Sequence, residues 1–166
     1  MYTDRTQHWI ELERAHDACC VAFETMLTYK HDVALHMKAL TAVFALCALC
    51  SPCCNRIAGE KMVALLDVMQ RHQKCVDIIS QSCGVMYSLA LQASARPLLL
   101  RAGCAQMMVT CTEVHTNNTS VIALSLVTIQ LLNEYLCETD LSASQPLDQD
   151  EHAFDSDSIR RSFTDV

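Results

Sequence analysis

The chain is predicted to be all-α, a stack of short helices, and three observations point there. Its 166 residues contain 3 Gly and 3 Pro, too few for the turns that β-hairpins require. Apolar residues make up 51% of it and recur at helical spacing. Two stretches also read as copies. Ile57-Ala58-Gly59 leads into Met62-Val63-Ala64-Leu65-Leu66, and Arg101-Ala102-Gly103 leads into Gln106-Met107-Met108-Val109, with the two glycines 44 positions apart. Each copy runs from a glycine corner through a short helix and a polar break near a histidine (His72, His115) into a longer apolar helix. A repeat of that length predicts a stacked helical solenoid, an architecture that holds other macromolecules.

The elements follow in order. Residues 6–29 form a first helical region carrying Trp9, Val21, Phe23, Met26 and Leu27. Tyr29-Lys30-His31 breaks it, and Asp32 is the expected N-cap of the next helix. That helix places Val33, Met37, Leu40, Phe44 and Cys47 on one stripe, and Ser51-Pro52 ends it. A helix from Glu60 to His72 and a longer one from Cys75 to Gln92 make the second unit. Arg96-Pro97 opens a short helix, since proline suits a first turn, and Gly103 supplies a sharp corner. The third unit runs from Cys104 to Glu113, turns at His115-Thr116-Asn117-Asn118, and closes with a long helix to Cys137. That last helix is apolar all round, a pattern expected of burial on more than one side.

Charge and cysteine usage narrow the class of protein. Of the formal charge of −7, residues 138–166 carry −6, with 2 Lys/Arg against 8 Asp/Glu. The chain thus divides into a nearly neutral helical domain, 1–137, and an acidic tail, 138–166, predicted to be disordered. Within the tail Phe154, Arg160, Arg161 and Phe163 stand out as a candidate linear motif, and Arg160-Arg161-Ser162 matches a basic-directed kinase site. No basic patch suits phosphate neutralisation, so nucleic acid is not an expected partner. The N-terminus lacks the apolar stretch of a signal peptide. Eleven cysteines, an odd number set largely in apolar runs, then read as reduced packing residues of an intracellular, cytoplasmic protein. A cytoskeletal or ciliary setting is compatible with this. The apolar runs Ala39–Cys50 and Val121–Leu132 are shorter than the roughly 20 residues of a membrane span.

Catalytic signatures are missing from the sequence. No H-E-x-x-H, G-x-S-x-G or glycine-rich phosphate loop occurs, so the chain is not expected to be an enzyme or to need a cofactor. Cys47-x-x-Cys50-x-x-Cys53-Cys54 is the one constellation with ligand spacing. Packed thiols are the expectation there, and a metal-binding or redox protein built on Cys47, Cys50, Cys53 and Cys54 is the alternative. Asn117-Asn118-Thr119-Ser120 contains overlapping glycosylation sequons but reads as a turn and helix cap.

The helix pattern resembles the armadillo repeat, with HEAT repeats fitting almost as well. The likeness is best over Arg96-Pro97-Leu98-Leu99-Leu100-Arg101-Ala102-Gly103-Cys104-Ala105-Gln106-Met107-Met108-Val109, followed by Val121-Ile122-Ala123-Leu124 and Leu131-Leu132. It also covers residues 55–92 with a truncated first helix, and 16–50 as a unit lacking one. The resemblance implies a short right-handed α-solenoid of about three armadillo-like repeats that binds proteins as a scaffold or as a subunit of a larger assembly. Members that grip extended peptides carry asparagines on their third helices. Aligning the closing helices puts Ala45, Ser88 and Gln130 at those places, so the resemblance implies the fold better than that binding mode.

Overall fold

A computed structural model describes residues 3–143, with side-chain surroundings for 13–139. The described residues are all-helical. Eight α-helices follow one another: α1 (Thr3–Thr28), α2 (Val33–Leu49), α3 (Ser51–Glu60), α4 (Met62–Arg71), α5 (Val76–Ala90), α6 (Arg96–Ala102), α7 (Cys104–Val114) and α8 (Thr119–Ala143), with a 3-10 turn at Ala93–Ala95 before α6. Helix α8 continues past the composition change at Cys137. The candidate motif Phe154, Arg160, Arg161 and Phe163 lies outside the described residues.

The helices start where local chemistry favours it. Asp32 caps α2, its carboxylate accepting the Leu35 N–H at 2.9 Å, and Asn118 caps α8 by accepting from Val121 N–H at 3.0 Å. Between them Cys75 holds the same extended cap conformation ahead of α5 but makes no side-chain cap bond. These three caps stand 43 positions apart. Pro52 does not simply end α2; it sits in the first turn of α3, where its missing N–H costs nothing. The first helix expected to be truncated is thus a full element of ten residues.

Only one of the two glycine corners is a corner. Gly103, at φ 86°, is left-handed and joins α6 to α7. Gly59 lies inside α3, and the break comes two residues later at Lys61 with ordinary right-handed geometry. A Cβ on Gly59 would meet Leu98 Cδ1 at 3.8 Å, an ordinary contact, so nothing there demands glycine.

Helices α2, α5 and α8 pack in series, α5 lying between the other two, while α1, α4 and α7 lie against α2, α5 and α8 in turn. The core runs continuously through them from Phe23, Met26 and Leu40 to Met86, Leu89 and Leu132, each at most 1% exposed. Gly84 lets α2 and α5 approach closely: the Phe44 ring lies over it, at 3.4 Å from where a Cβ would stand. Between α5 and α8, Cys83 Sγ and Ser125 Oγ are 3.6 Å apart.

Histidines tie the turns together. His72 Nε2 donates to Lys30 O at 3.1 Å, and 43 residues on His115 Nε2 donates to Gln73 O at 2.8 Å. Buried His36 donates to Met26 O at 3.0 Å, and its ring meets that of His72 edge to face. At the opposite end of the helices Ser51 bonds Gln92 and Ser94 bonds Asn55, both exposed.

Candidate interaction surface

The cap register locates each candidate of the third helices. Counting equally from Asp32, Cys75 and Asn118 aligns Ala45 with Ser88 and Leu131, so Gln130 falls one place short of that row. Ala45 is exposed. Ser88 is buried, and its hydroxyl bonds Gly84 O within its own helix at 3.0 Å, so it is not aimed at a ligand. Gln130 is exposed and donates to Glu134 Oε1 at 3.0 Å. The three do not form one row.

The same register exposes a different surface. Leu40, Val43 and Cys47 on α2 are buried. Their counterparts on α5, Cys83, Met86 and Ala90, are buried as well. On α8 these positions are Leu126, Ile129 and Asn133. Leu126 is 54% exposed, Asn133 is exposed, and only Ile129 is partly covered. With Gln130, Glu134, Cys137 and Glu138 they line a shallow depression along the helix. This face is the edge on which a further helix would pack, and nothing in the described structure lies on it.

Helix α8 is also longer than its apolar run. Residues Thr119–Thr139 are long and apolar enough to cross a membrane by length and composition, although the run Val121–Leu132 alone is not. One side is committed to the fold, through Val121, Ser125, Thr128 and Leu132. The uncommitted side mixes Leu126, Val127 and Leu136 with Gln130, Asn133 and Glu134.

Charge distinguishes this end of the molecule. Helices α5, α7 and α8 contain no Lys or Arg, while they hold Asp77, Glu113, Glu134, Glu138 and Asp140. At the other end Arg56 joins α3 to α1 through Glu13, at 3.2 Å, with Glu60 nearby. A second depression between α4 and α7 has an apolar floor of Leu66 and Met107 and a rim of Gln70, Gln73 and Gln106.

The cysteine run is packed within the fold. Contrary to the expectation of reduced thiols throughout, Cys50 and Cys53 are joined as a disulfide across the start of α3, which leaves two of the four sulfurs without a free thiolate. Cys54 Sγ approaches Cys47 O at 3.3 Å, and both residues are buried. A hydrogen bond to Cys54 and then burial push the Cys47 thiol up, so it stays protonated. Burial raises Cys19 beside them to about 11. Such thiols pack as small apolar groups.

Sequence reasoning missed another cluster, His16, Cys20 and Glu60, with Glu13 and Asp17 beside it. His16 and Cys20 are one helical turn apart, a spacing that metal sites use, and His16 Nε2 is 3.4 Å from Glu60 Oε2. Yet Cys20 Sγ is 3.8 and 3.7 Å from the two ring nitrogens. A sulfur equidistant from both lies off the in-plane direction of either lone pair, and Arg56 already serves the carboxylates. The cluster works as an inter-helix polar contact between α1 and α3. Comparison with known proteins adds no relative: no family model, curated protein or solved structure matches this chain.

Proposed function

We propose that this chain is a non-catalytic protein-interaction scaffold or a structural subunit of a larger assembly, built as a short armadillo-like α-solenoid of about three units. The observation that carries the reading is the open edge of α8. Of three register positions that are buried on α2 and again on α5, two (Leu126 and Asn133) are exposed on α8 and the third, Ile129, is only partly covered. Leu126, Val127 and Leu136, exposed together on one helix, are apolar surface of the kind that marks an interaction site. The 43-residue recurrence of caps and of histidine-to-carbonyl bonds supports a stacked repeat, since each unit bonds the one before it. Cytoplasmic protein partners fit this reading; nucleic acid does not, because the α5–α8 end carries no cations on its long helices.

The test is a full-length chain with Leu126→Glu and Ile129→Glu, compared with wild type in affinity purification from the native cell. Helicity is expected to be unchanged and the proteins recovered with wild type to be lost. Recovery of the same proteins by both forms overturns the edge as the binding surface. Sedimentation then separates the two versions of the proposal: an adaptor is a well-behaved monomer, and an obligate subunit self-associates when isolated. The disulfide at Cys50–Cys53 supports a second reading, a redox-responsive protein, which mass measurement of alkylated thiols before and after reduction tests directly.

A further inference from the structure

We infer that the open edge of α8 is occupied in cis by the chain's own segment 158–164, Ser158-Ile159-Arg160-Arg161-Ser162-Phe163-Thr164, which a protein partner must displace. This inference rests on the proposed interaction surface and names what regulates it.

Charge selects the occupant. The edge combines apolar Leu126 and Ile129 with the carboxylate of Glu134, followed one turn later by Glu138, on a helix without a single Lys or Arg. Its complement is a segment with two apolar anchors and a pair of cations. A second copy of the same edge cannot supply cations, and two such faces would set carboxylate against leucine or carboxylate. Within residues 144–166 five of the six acids, Asp148, Asp150, Glu151, Asp155 and Asp157, precede the two arginines, which Ile159 and Phe163 flank, and Asp165 follows. Arginine suits this role because its planar guanidinium pairs with carboxylates while its stem covers apolar surface.

Length permits the contact. The 14 residues 144–157 reach about 45 Å when extended. Leu126 lies 17 residues before Ala143 on α8, about 25 Å back along the helix. Tethering at that range gives an effective concentration on the order of 1 mM, enough to hold a segment whose free affinity is about 0.1 mM.

Cys137 is a built-in reporter, since it lines the edge and is exposed, whereas most other thiols are buried. The experiment measures the alkylation rate of Cys137 by mass spectrometry in the full chain, in Arg160→Glu/Arg161→Glu and in Phe163→Ala. Both variants change residues outside the described helices, 3–143. Alkylation is expected to be about tenfold faster in the charge-reversed chain than in wild type, with Phe163→Ala between them and with wild-type protection weakening as salt is added. Equal rates in all three overturn the inference. Protection that grows with protein concentration also overturns it and assigns the edge to a second copy. Protection that arises only with added phosphatidylcholine vesicles overturns it in favour of a lipid surface. The partner-recovery test of Leu126→Glu/Ile129→Glu is read separately, so the interaction surface can stand while the cis contact fails.

Discussion

Helices α5 and α8 occupy equivalent places in the register yet differ in what lies beyond them. On α5, Cys83, Met86 and Ala90 are fully buried, Cys83 against Ser125 of α8. On α8 the same positions are held by exposed Leu126 and Asn133 and partly covered Ile129, and the residue beside them changes from Tyr87 to Gln130. The difference teaches that apolar character falls along the stack without disappearing. A helix that ended the fold in water would be expected to carry a fully polar outer face. The half-polar face of α8 fits a contact that forms and releases.

The largest predicted effect attacks this contrast directly. Met86→Ala should lower stability by about 2–5 kcal/mol, because it removes fully buried volume between two helices. Leu126→Ala should cost about 0.5 kcal/mol or less in urea unfolding of a chain that also carries Arg160→Glu/Arg161→Glu, since that side chain is then half-exposed. Similar losses at the two positions would mean that something other than segment 158–164 covers α8's edge in the isolated protein.

The two glycines allow a second contrast, of opposite sign. Gly103→Ala forces an L-residue into φ 86° and should cost about 1–2 kcal/mol. Gly59→Ala puts a better helix former inside α3 without a clash and should stabilise by about 0.5–1 kcal/mol. Thermal unfolding of the pair checks both, and equal signs would overturn the assignment of Lys61 as the break.

Caps give a smaller effect. Cys75 holds nearly the backbone angles of Asp32, φ −88° and ψ 98° against −85° and 93°, but offers no oxygen to the helix it begins. Cys75→Asp should therefore add about 0.5–1 kcal/mol, and Asp32→Ala should remove a similar amount.

Acid provides the last test. Burial holds His36 below the usual histidine range, outweighing the opposing effect of its bond to Met26 O. The folded state thus keeps this ring neutral, while the unfolded chain protonates it below about pH 6.5. Its contribution is present above that pH and is lost as pH falls, because the unfolded state then binds the extra proton. A stability profile between pH 7.5 and 5.5 should flatten in His36→Gln relative to wild type.

Much of the architecture was legible before any coordinates. Caps at Asp32 and near Asn118, the proline opening α6 and the corner at Gly103 all follow from local rules, since each depends on a few neighbouring residues. Gly59 was misplaced because glycine near a helix end looks the same whether it turns the chain or not. Gln130 was misaligned because a one-residue offset between units is invisible until caps are compared in space. The histidine bonds at the turns had no signature either, since their acceptors are backbone carbonyls that any residue supplies. The edge of α8 is a tertiary fact: Leu126 and Met86 differ in what packs on them, and hydropathy cannot report that.

The histidine-to-carbonyl bonds have a mechanical consequence. They run along one rim of the molecule, partly or fully buried at His115 and His36, and the facing rim is joined by exposed serine contacts to Gln92 and Asn55. A force that splays the helices should open the serine rim first, with the histidine rim acting as the spine of a book. The molecule would then change its curvature in one direction more easily than in the other.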